Sequence, residues 1–311
     1  MKVISHEQVQ QCLNFEDLVE TLKEGFSKPA TMPKRQVFPL DPSPNNHDAF
    51  AVLPAWNEAV IGVKSFTYFP QNSEIGFDSL YSKIMLFSRE NGVPLALVDG
   101  TSVTYWRTAA ISALASKLLS SEKAKTLVLF GSGNLAPYLI RAHLTVRAFE
   151  QITIVARNLD KAHSLCDFVK REFPNVNVEC CDKASKTLIA QADVICTATG
   201  SHKPLFNGEW LTVGTHVDLL GNHHRDAREC DSATITRGKV FVDSRANVLN
   251  EAGELIIPIQ EGTFNEERVL AELSELCKEP FQRDDNDITI FKSVGTALAD
   301  LITAHHVYKA C

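Results

Sequence analysis

The sequence predicts an α/β protein in which one domain is a doubly wound parallel sheet and a second domain is α+β. Three observations carry this reading. From Lys125 onward, short apolar runs alternate with amphipathic stretches in the strand, helix, strand rhythm of a parallel sheet. At 127–136 the stretch "LVLFGSGNLA" leads four apolar residues through two glycines to a small alanine. Before residue 120 the texture changes to prolines, β-branched and aromatic residues and an Asn-Gly turn, which indicate antiparallel strands.

Taken in order, residues 5–27 read as helical. Ser5 and Gln8 have capping-box spacing, and Leu18, Leu22 and Phe26 recur every four residues behind a cap at Asn14. "TMPKRQVFPLDPSPNN" holds four prolines, which fit neither helix interiors nor central strands, so it reads as an extended crossing or loop. Residues 49–69 are strand-like, and "YSKIMLFSRENGVPLALVDG" places Asn91-Gly92 between two apolar runs as a β-hairpin. "TSVTYWRTAAISALASKLLS" supplies a helix with threonines near its start and alanines at packing positions.

The alternation that follows runs through "TLVLF", "NLAPYLIRAHLTV", "QITIVAR", "LDKAHSLCDFVKREF", "NVNVECC", "KTLIAQA", "DVICTAT", "THVDLL" and "KVFVDS". The last segment, "ITIFKSVGTALADLITAHHVYKAC", reads as a short strand and a helix long enough to return to the first domain. The expected boundaries are 1–120 with the return of about 295–311, and 121–294 for the parallel-sheet domain.

Composition narrows the function. In 311 residues, 44% apolar content is enough for a real core. A net charge of -7 with scattered Lys and Arg argues against nucleic acid and anionic membrane as partners. No apolar run reaches the roughly 18 residues of a membrane span, and "MKVISHEQVQ" has no signal-peptide core, so the expected location is the cytoplasm. Eight scattered cysteines without a C-x-x-C pair read as reduced thiols. No metal is expected: adjacent His223 and His224 point apart, and no further ligands stand at recognisable spacing. His305 and His306 read as surface or packing residues, and no cysteine stands out as a nucleophile.

The glycine loop suits a dinucleotide. Gly131 permits the turn, Gly133 lets backbone approach a pyrophosphate, and small Ala136 lets helix pack on strand, as in a Rossmann-type domain. A helix beginning at Asn134 would aim its N–H groups at the phosphates. The next strand ends at Arg157 where an acidic residue would grip the ribose of NAD(H), which favours NADP(H) over NAD(H); a solvated arginine is the alternative. Lys64, inside an apolar strand, is either an edge lysine reaching water or a functional cation. Arg107, in the first turns of a helix, and Arg35, between prolines, are further cations suited to a small carboxylate.

Together "KRQVFP", "IGVKSF", "WRTAAISALAS", "FGSGNLA", "TATGS", "GTHVDLLG" and "FKSVGTALADL" resemble the ornithine cyclodeaminase and mu-crystallin family across nearly the whole chain. The resemblance implies a nicotinamide cofactor on the Rossmann domain, facing a substrate held by basic residues of the other domain. It implies Arg35, Lys64 and Arg107 as substrate cations, with Arg107 also at the cofactor. Gly131, Gly133, Asn134, Leu135 and Ala136 then line the pyrophosphate, with Arg157 and Asn158 at the adenosine ribose. Thr199, Val217, Leu219, Ser293, Val294 and, more loosely, Ser79 match other cofactor contacts. The family is typically dimeric through its N-terminal domain, so a homodimer is expected.

Cyclodeaminases carry an aspartate two residues after the glycine matching Gly221; this chain has His223. The departure speaks against deamination of ornithine, and the neighbouring "HVDLLG" and downstream "ARE" resemble the branch that reduces Δ1-pyrroline-2-carboxylate to L-proline, or its six-membered analogue to L-pipecolate. Lys64 is then the expected proton donor, with His223 or water as the alternative. Ornithine cyclodeamination, amino-acid dehydrogenation and mu-crystallin-like ligand binding are the rival readings.

Overall fold

A computed structural model describes residues 1–41, 43 and 46–311, so positions 42, 44 and 45 of the proline-rich crossing lie outside the described residues. The chain divides into two compact units, residues 1–108 with 296–311, and residues 109–295.

The first unit opens with β1 (Lys2–Ile4) and α1 (His6–Cys12). The Ser5 hydroxyl accepts from Gln8 N and the Gln8 side chain accepts from Ser5 N, completing the expected capping box. Asn14 caps α2 (Phe15–Ser27) by accepting from Asp17 N, and Phe15, Leu18, Leu22 and Phe26 form its buried stripe. The strands β2 (Gln36–Pro39), β3 (Ala49–Trp56), β4 (Val60–Tyr68), β5 (Leu80–Ser88) and β6 (Pro94–Asp99) follow. The sheet order is β1-β6-β5-β4-β3-β2, with β1 parallel to β6 and the other neighbours antiparallel. Gly92, at φ +74°, makes the expected turn between β5 and β6.

The helix α3 (Gly100–Leu119) runs through the division at Thr108 and Ala109, which the sequence reading sets at its end. In the second unit β7 (Thr126–Phe130), α4 (Ala136–Val146), β8 (Gln151–Val155), α5 (Leu159–Glu172) and β9 (Asn177–Cys181) form the first half. The second half holds α6 (Lys186–Ala190), β10 (Val194–Thr197), β11 (His216–Leu219), α7 (Ser232–Arg237) and β12 (Lys239–Val242). It ends with α8 (Arg245–Glu251), α9 (Gly253–Gln260), β13 (Val269–Glu272), α10 (Leu273–Lys278) and β14 (Thr289–Lys292).

These strands form one parallel sheet in the order β13-β12-β14-β11-β10-β7-β8-β9. The strand order reverses between β7 and β10, the switch point at which open α/β sheets bind ligands. The chain then returns to the first unit as α11 (Ala297–Ala310), capped by Thr296 and packed on α2, β3, β4 and β5.

Two expectations are corrected. The first helix of the parallel-sheet unit starts at Ala136, not at Asn134, with Leu135 as its N-cap and proline in its first turn, a position where a missing N–H costs nothing. The cysteines are not all reduced thiols: Cys12 and Cys311 form a disulfide, which composition could not reveal because 299 residues separate them. Cys166, Cys180, Cys181, Cys196, Cys230 and Cys277 are free.

The disulfide closes nearly the whole chain, so it should restrict the unfolded ensemble strongly. Proteolysis without reductant should yield a cross-linked peptide pair containing Cys12 and Cys311. Cys311→Ser should lower unfolding stability by about 2 to 5 kcal/mol in urea titrations under oxidising conditions and leave it unchanged in reductant.

Candidate active site

In the first unit the site is built on β4. Its alternating burial turns Val60, Gly62 and Lys64 to one face. Because β3 and β5 flank β4, Lys64 is not an edge lysine; it is 4% exposed. Its ammonium donates to Thr104 Oγ1 at 2.6 Å and to Asp300 Oδ1 at 3.1 Å. Arg107, one turn of α3 beyond Thr104, donates from Nε to the same Asp300 oxygen at 3.0 Å. Burial pulls the Lys64 pKa down to about 8, with Asp300 opposing the fall and Arg107 and Arg35 adding to it.

The structure thus brings Lys64 and Arg107 to the carboxylate of Asp300, with Arg35 close enough to act on Lys64. Such an excess of positive charge, buried at Lys64 and half-buried at the two arginines, suits an anion. Ser79 stands just before β5, where its carbonyl accepts from Phe69 N.

In the second unit the glycine loop follows β7. Gly131 has φ +116°, and a Cβ there would lie 2.6 Å from Ala198 O, so only glycine fits. Gly133 is different: a Cβ would meet nothing within 4 Å, and its backbone needs no positive φ. The protein leaves that space bare, as a cradle for a bound phosphate requires. No side chain caps α4, so no side chain occupies its first N–H groups. A cleft of about 450 Å³ opens here, lined by Ser132, Gly133, Asn134, Pro137 and Lys161. These features fit a dinucleotide.

At the end of β8, Arg157 is exposed. Asn158 spends its side-chain oxygen as the cap of α5, accepting from Lys161 N at 2.9 Å. Thr199 donates from both N and Oγ1 to Glu229 Oε1, each at 2.7 Å. Val217 and Leu219 are fully buried in the core. Ser293 Oγ, Val294 N and Gly295 N all donate to Asp243 Oδ2, at 2.8, 3.1 and 2.7 Å. His223 lies exposed in the loop after β11.

Sequence reasoning missed the acids that set these loops. Glu229, fully buried, accepts from Thr197 Oγ1 and Gly221 N as well as from Thr199. Behind it, Glu254 accepts from Glu229 N and Asn222 Nδ2 and pairs with buried Lys292 at 3.2 Å. Asp300 in the first unit was missed too. The signals were the "ARE" stretch, which ends in Glu229, and "FKSVGTALADL", which holds Lys292 and Asp300; neither says anything of their partners.

The ligand atoms of His143, Cys196 and Asp218 lie within 4.8 Å of one another, all buried. The Ser112 hydroxyl stands among them, 2.8 Å from His143 Nε2 and hydrogen-bonded to Asp218 Oδ2. Burial pushes Asp218 up to about 7 and His143 down to about 3.

Removing the Glu229 carboxylate would leave four donors without their acceptor. Glu229→Ala should therefore cost about 3 kcal/mol or more of stability, read as a lower urea midpoint at unchanged slope.

Three comparisons extend the geometry. The ornithine cyclodeaminase/mu-crystallin family model matches residues 1–311. The chain is 55% identical over 313 residues to a Delta(1)-pyrroline-2-carboxylate reductase of Colwellia psychrerythraea, covering 99% of each. It is 34% identical to Protein SAR DEFICIENT 4 of Arabidopsis thaliana, covering 98% of this chain and 96% of the relative. Among solved structures, Thermococcus litoralis Delta(1)-pyrroline-2-carboxylate reductase in complex with NADH and L-proline superposes with TM-score 0.92 at 29% identity, covering 100% and 97%. The iminosuccinate reductase of Paracoccus denitrificans in complex with NAD+ gives 0.90 at 26% identity, covering 100% and 96%.

Proposed function

Because the chain belongs to the ornithine cyclodeaminase/mu-crystallin family, we propose that it is an NAD(P)H-dependent reductase converting Δ1-pyrroline-2-carboxylate to L-proline. The observation that carries this reading is the buried Lys64 with Arg107 on Asp300 and Arg35 nearby. A cyclic imino acid presents a carboxylate for cations and a ring nitrogen that must gain a proton on reduction.

In this reading Arg107 and Arg35 clamp the carboxylate and fix the ring. Lys64 has three N–H bonds, and two are spent on Thr104 and Asp300. The third serves the imine nitrogen, to which Lys64 supplies a proton; a pKa of about 8 keeps most of it charged near neutrality. His223 is the alternative donor. The reduced nicotinamide, when bound, supplies the hydride that the imine carbon accepts. Gly131, Gly133, Asn134, Leu135 and Ala136 hold its pyrophosphate, and the loops of Thr199, Leu219, Ser293 and Val294 hold the rest. His223 in place of a carboxylate leaves no acid there for deamination, which separates this reading from a cyclodeaminase.

We further infer that NADP(H) is preferred over NAD(H), because Arg157 can pair with a 2′-phosphate and no acidic side chain occupies 156–158. The enzyme works as a homodimer in the cytoplasm, where its nicotinamide donor is supplied. Supporting the dimer, the edge strand β2 exposes Val37 and Phe38, which call for a cover.

Purified protein given Δ1-pyrroline-2-carboxylate should oxidise NADPH and NADH, and ornithine with NAD+ should release no ammonia; the reverse pattern would mean a cyclodeaminase. Lys64→Ala should lower kcat by about 100-fold or more. Arg107→Ala should raise KM for the imine by about 10- to 100-fold. Unchanged kinetics in both variants would remove this site assignment. Arg157→Ala should raise KM for NADPH by about 10-fold and leave NADH nearly untouched, whereas equal losses with both would rule out a 2′-phosphate contact.

A further inference from the structure

We propose that Asp300 is a positioning residue of the reductase, holding Lys64 and Arg107 through one oxygen so that the third N–H of Lys64 meets the substrate nitrogen. The inference rests on the reductase reading above. Asp300 is nearly fully buried, at 1% exposure, on the first turn of α11. Its Oδ1 accepts from Lys64 Nζ and from Arg107 Nε. Its Oδ2 is buried with no hydrogen-bond partner among the described residues.

The donors it accepts from separate Asp300 from the structural acids of the second unit. Glu229 spends both oxygens, and Asp243 its Oδ2, on backbone N–H groups and hydroxyls that close loops. Asp300 receives no backbone N–H, and Thr296 caps its helix without it. Its side chain is spent on the two cations alone.

The shared oxygen also has an electrostatic effect. The charged and polar groups facing Lys64 are Thr104 and Arg107 on α3, Arg35 ahead of β2, and Asp300 on α11. Burial and the two guanidiniums favour loss of the ammonium proton, and Asp300 is the group opposing them. Without it, the Lys64 pKa would fall further and less of the amine would carry the proton it must donate.

The test is the pH profile of kcat/KM for Δ1-pyrroline-2-carboxylate in wild type, Asp300→Asn and Asp300→Glu. Activity needs the protonated amine, so it should fall as pH rises through the Lys64 pKa. In Asp300→Asn that basic limb should move down by about 1 to 3 pH units, and Asp300→Glu should return most of the shift. A uniform loss with an unmoved limb would overturn the proposal. Independently of turnover, the Lys64 pKa is followed by NMR on 13Cε-labelled lysine, assigned with Lys64→Arg. A pKa that stays put in Asp300→Asn sinks the positioning role even if the imine is not the substrate. Conversely, a shifted pKa in a protein inactive on the imine would leave the electrostatic role standing and reject the reductase reading. Circular dichroism and NADH fluorescence binding report whether each variant is folded.

Discussion

One carboxylate oxygen governs the first unit. Asp300 Oδ1 lies 3.1 Å from the Lys64 ammonium and 3.0 Å from Arg107 Nε, the first pair buried and the second part-buried. A lysine on an interior strand has no path to water, so its charge must be matched locally or given up. The match comes from the last helix of the chain, which explains why α11 returns from the parallel-sheet unit to pack on β3, β4 and β5. The Thr296 cap fixes where α11 begins, and hence the turn on which Asp300 sits. Fold and chemistry are therefore joined at a single pairing 236 residues apart in sequence.

The second unit uses its acids in the opposite way. Glu229 and Asp243 accept from backbone N–H groups at the ends of β10, β11 and β14, where a parallel sheet leaves donors unpaired. Those are the loops beside and beyond the switch point, and fixing them preforms the surface on which a dinucleotide rests. The Glu254–Lys292 pair, fully buried, adds a second layer by holding Asn222 and the Glu229 backbone. Carboxylates on this side stiffen backbone, whereas the one in the first unit sets the charge of side chains.

Much of this was legible in the sequence because local chemistry carries it. The Ser5 and Asn14 caps, the Gly92 turn and the alternation of strand and helix depend on neighbours a few residues apart. Arg35, Lys64 and Arg107 stood out as charges in unusual places, and the family resemblance grouped them. What stayed hidden depends on distant pairing. Asp300, Glu229 and Glu254 look like ordinary acids until the fold brings their partners to them. The four-residue strand β13 carries no clear period, and the Cys12–Cys311 bond joins the two ends of the chain. The interior position of β4, which decides the fate of Lys64, is likewise a fact of topology rather than of composition.

The buried cluster of Ser112, His143, Cys196 and Asp218 obeys the same electrostatic rule without a compensating ion pair at hydrogen-bonding distance. His143 Nε2 and Asp218 Oδ2 are 4.0 Å apart, and the Ser112 hydroxyl bridges them. With the imidazole proton on Nε2, that N–H donates to Ser112 Oγ and the hydroxyl donates to Asp218, so every proton in the chain has an acceptor. Burial disfavours charge on each member, raising Asp218 and Cys196 and lowering His143. A divalent ion would have to displace the bridging hydroxyl and ionise groups that the interior holds close to neutral. The arrangement is thus a hydrogen-bonded tie among α3, α4, β10 and β11. Asp300 shares its Oδ1 between two cations, whereas Asp218 has only a hydroxyl and a thiol at hydrogen-bonding distance, and burial there pushes it up to about 7.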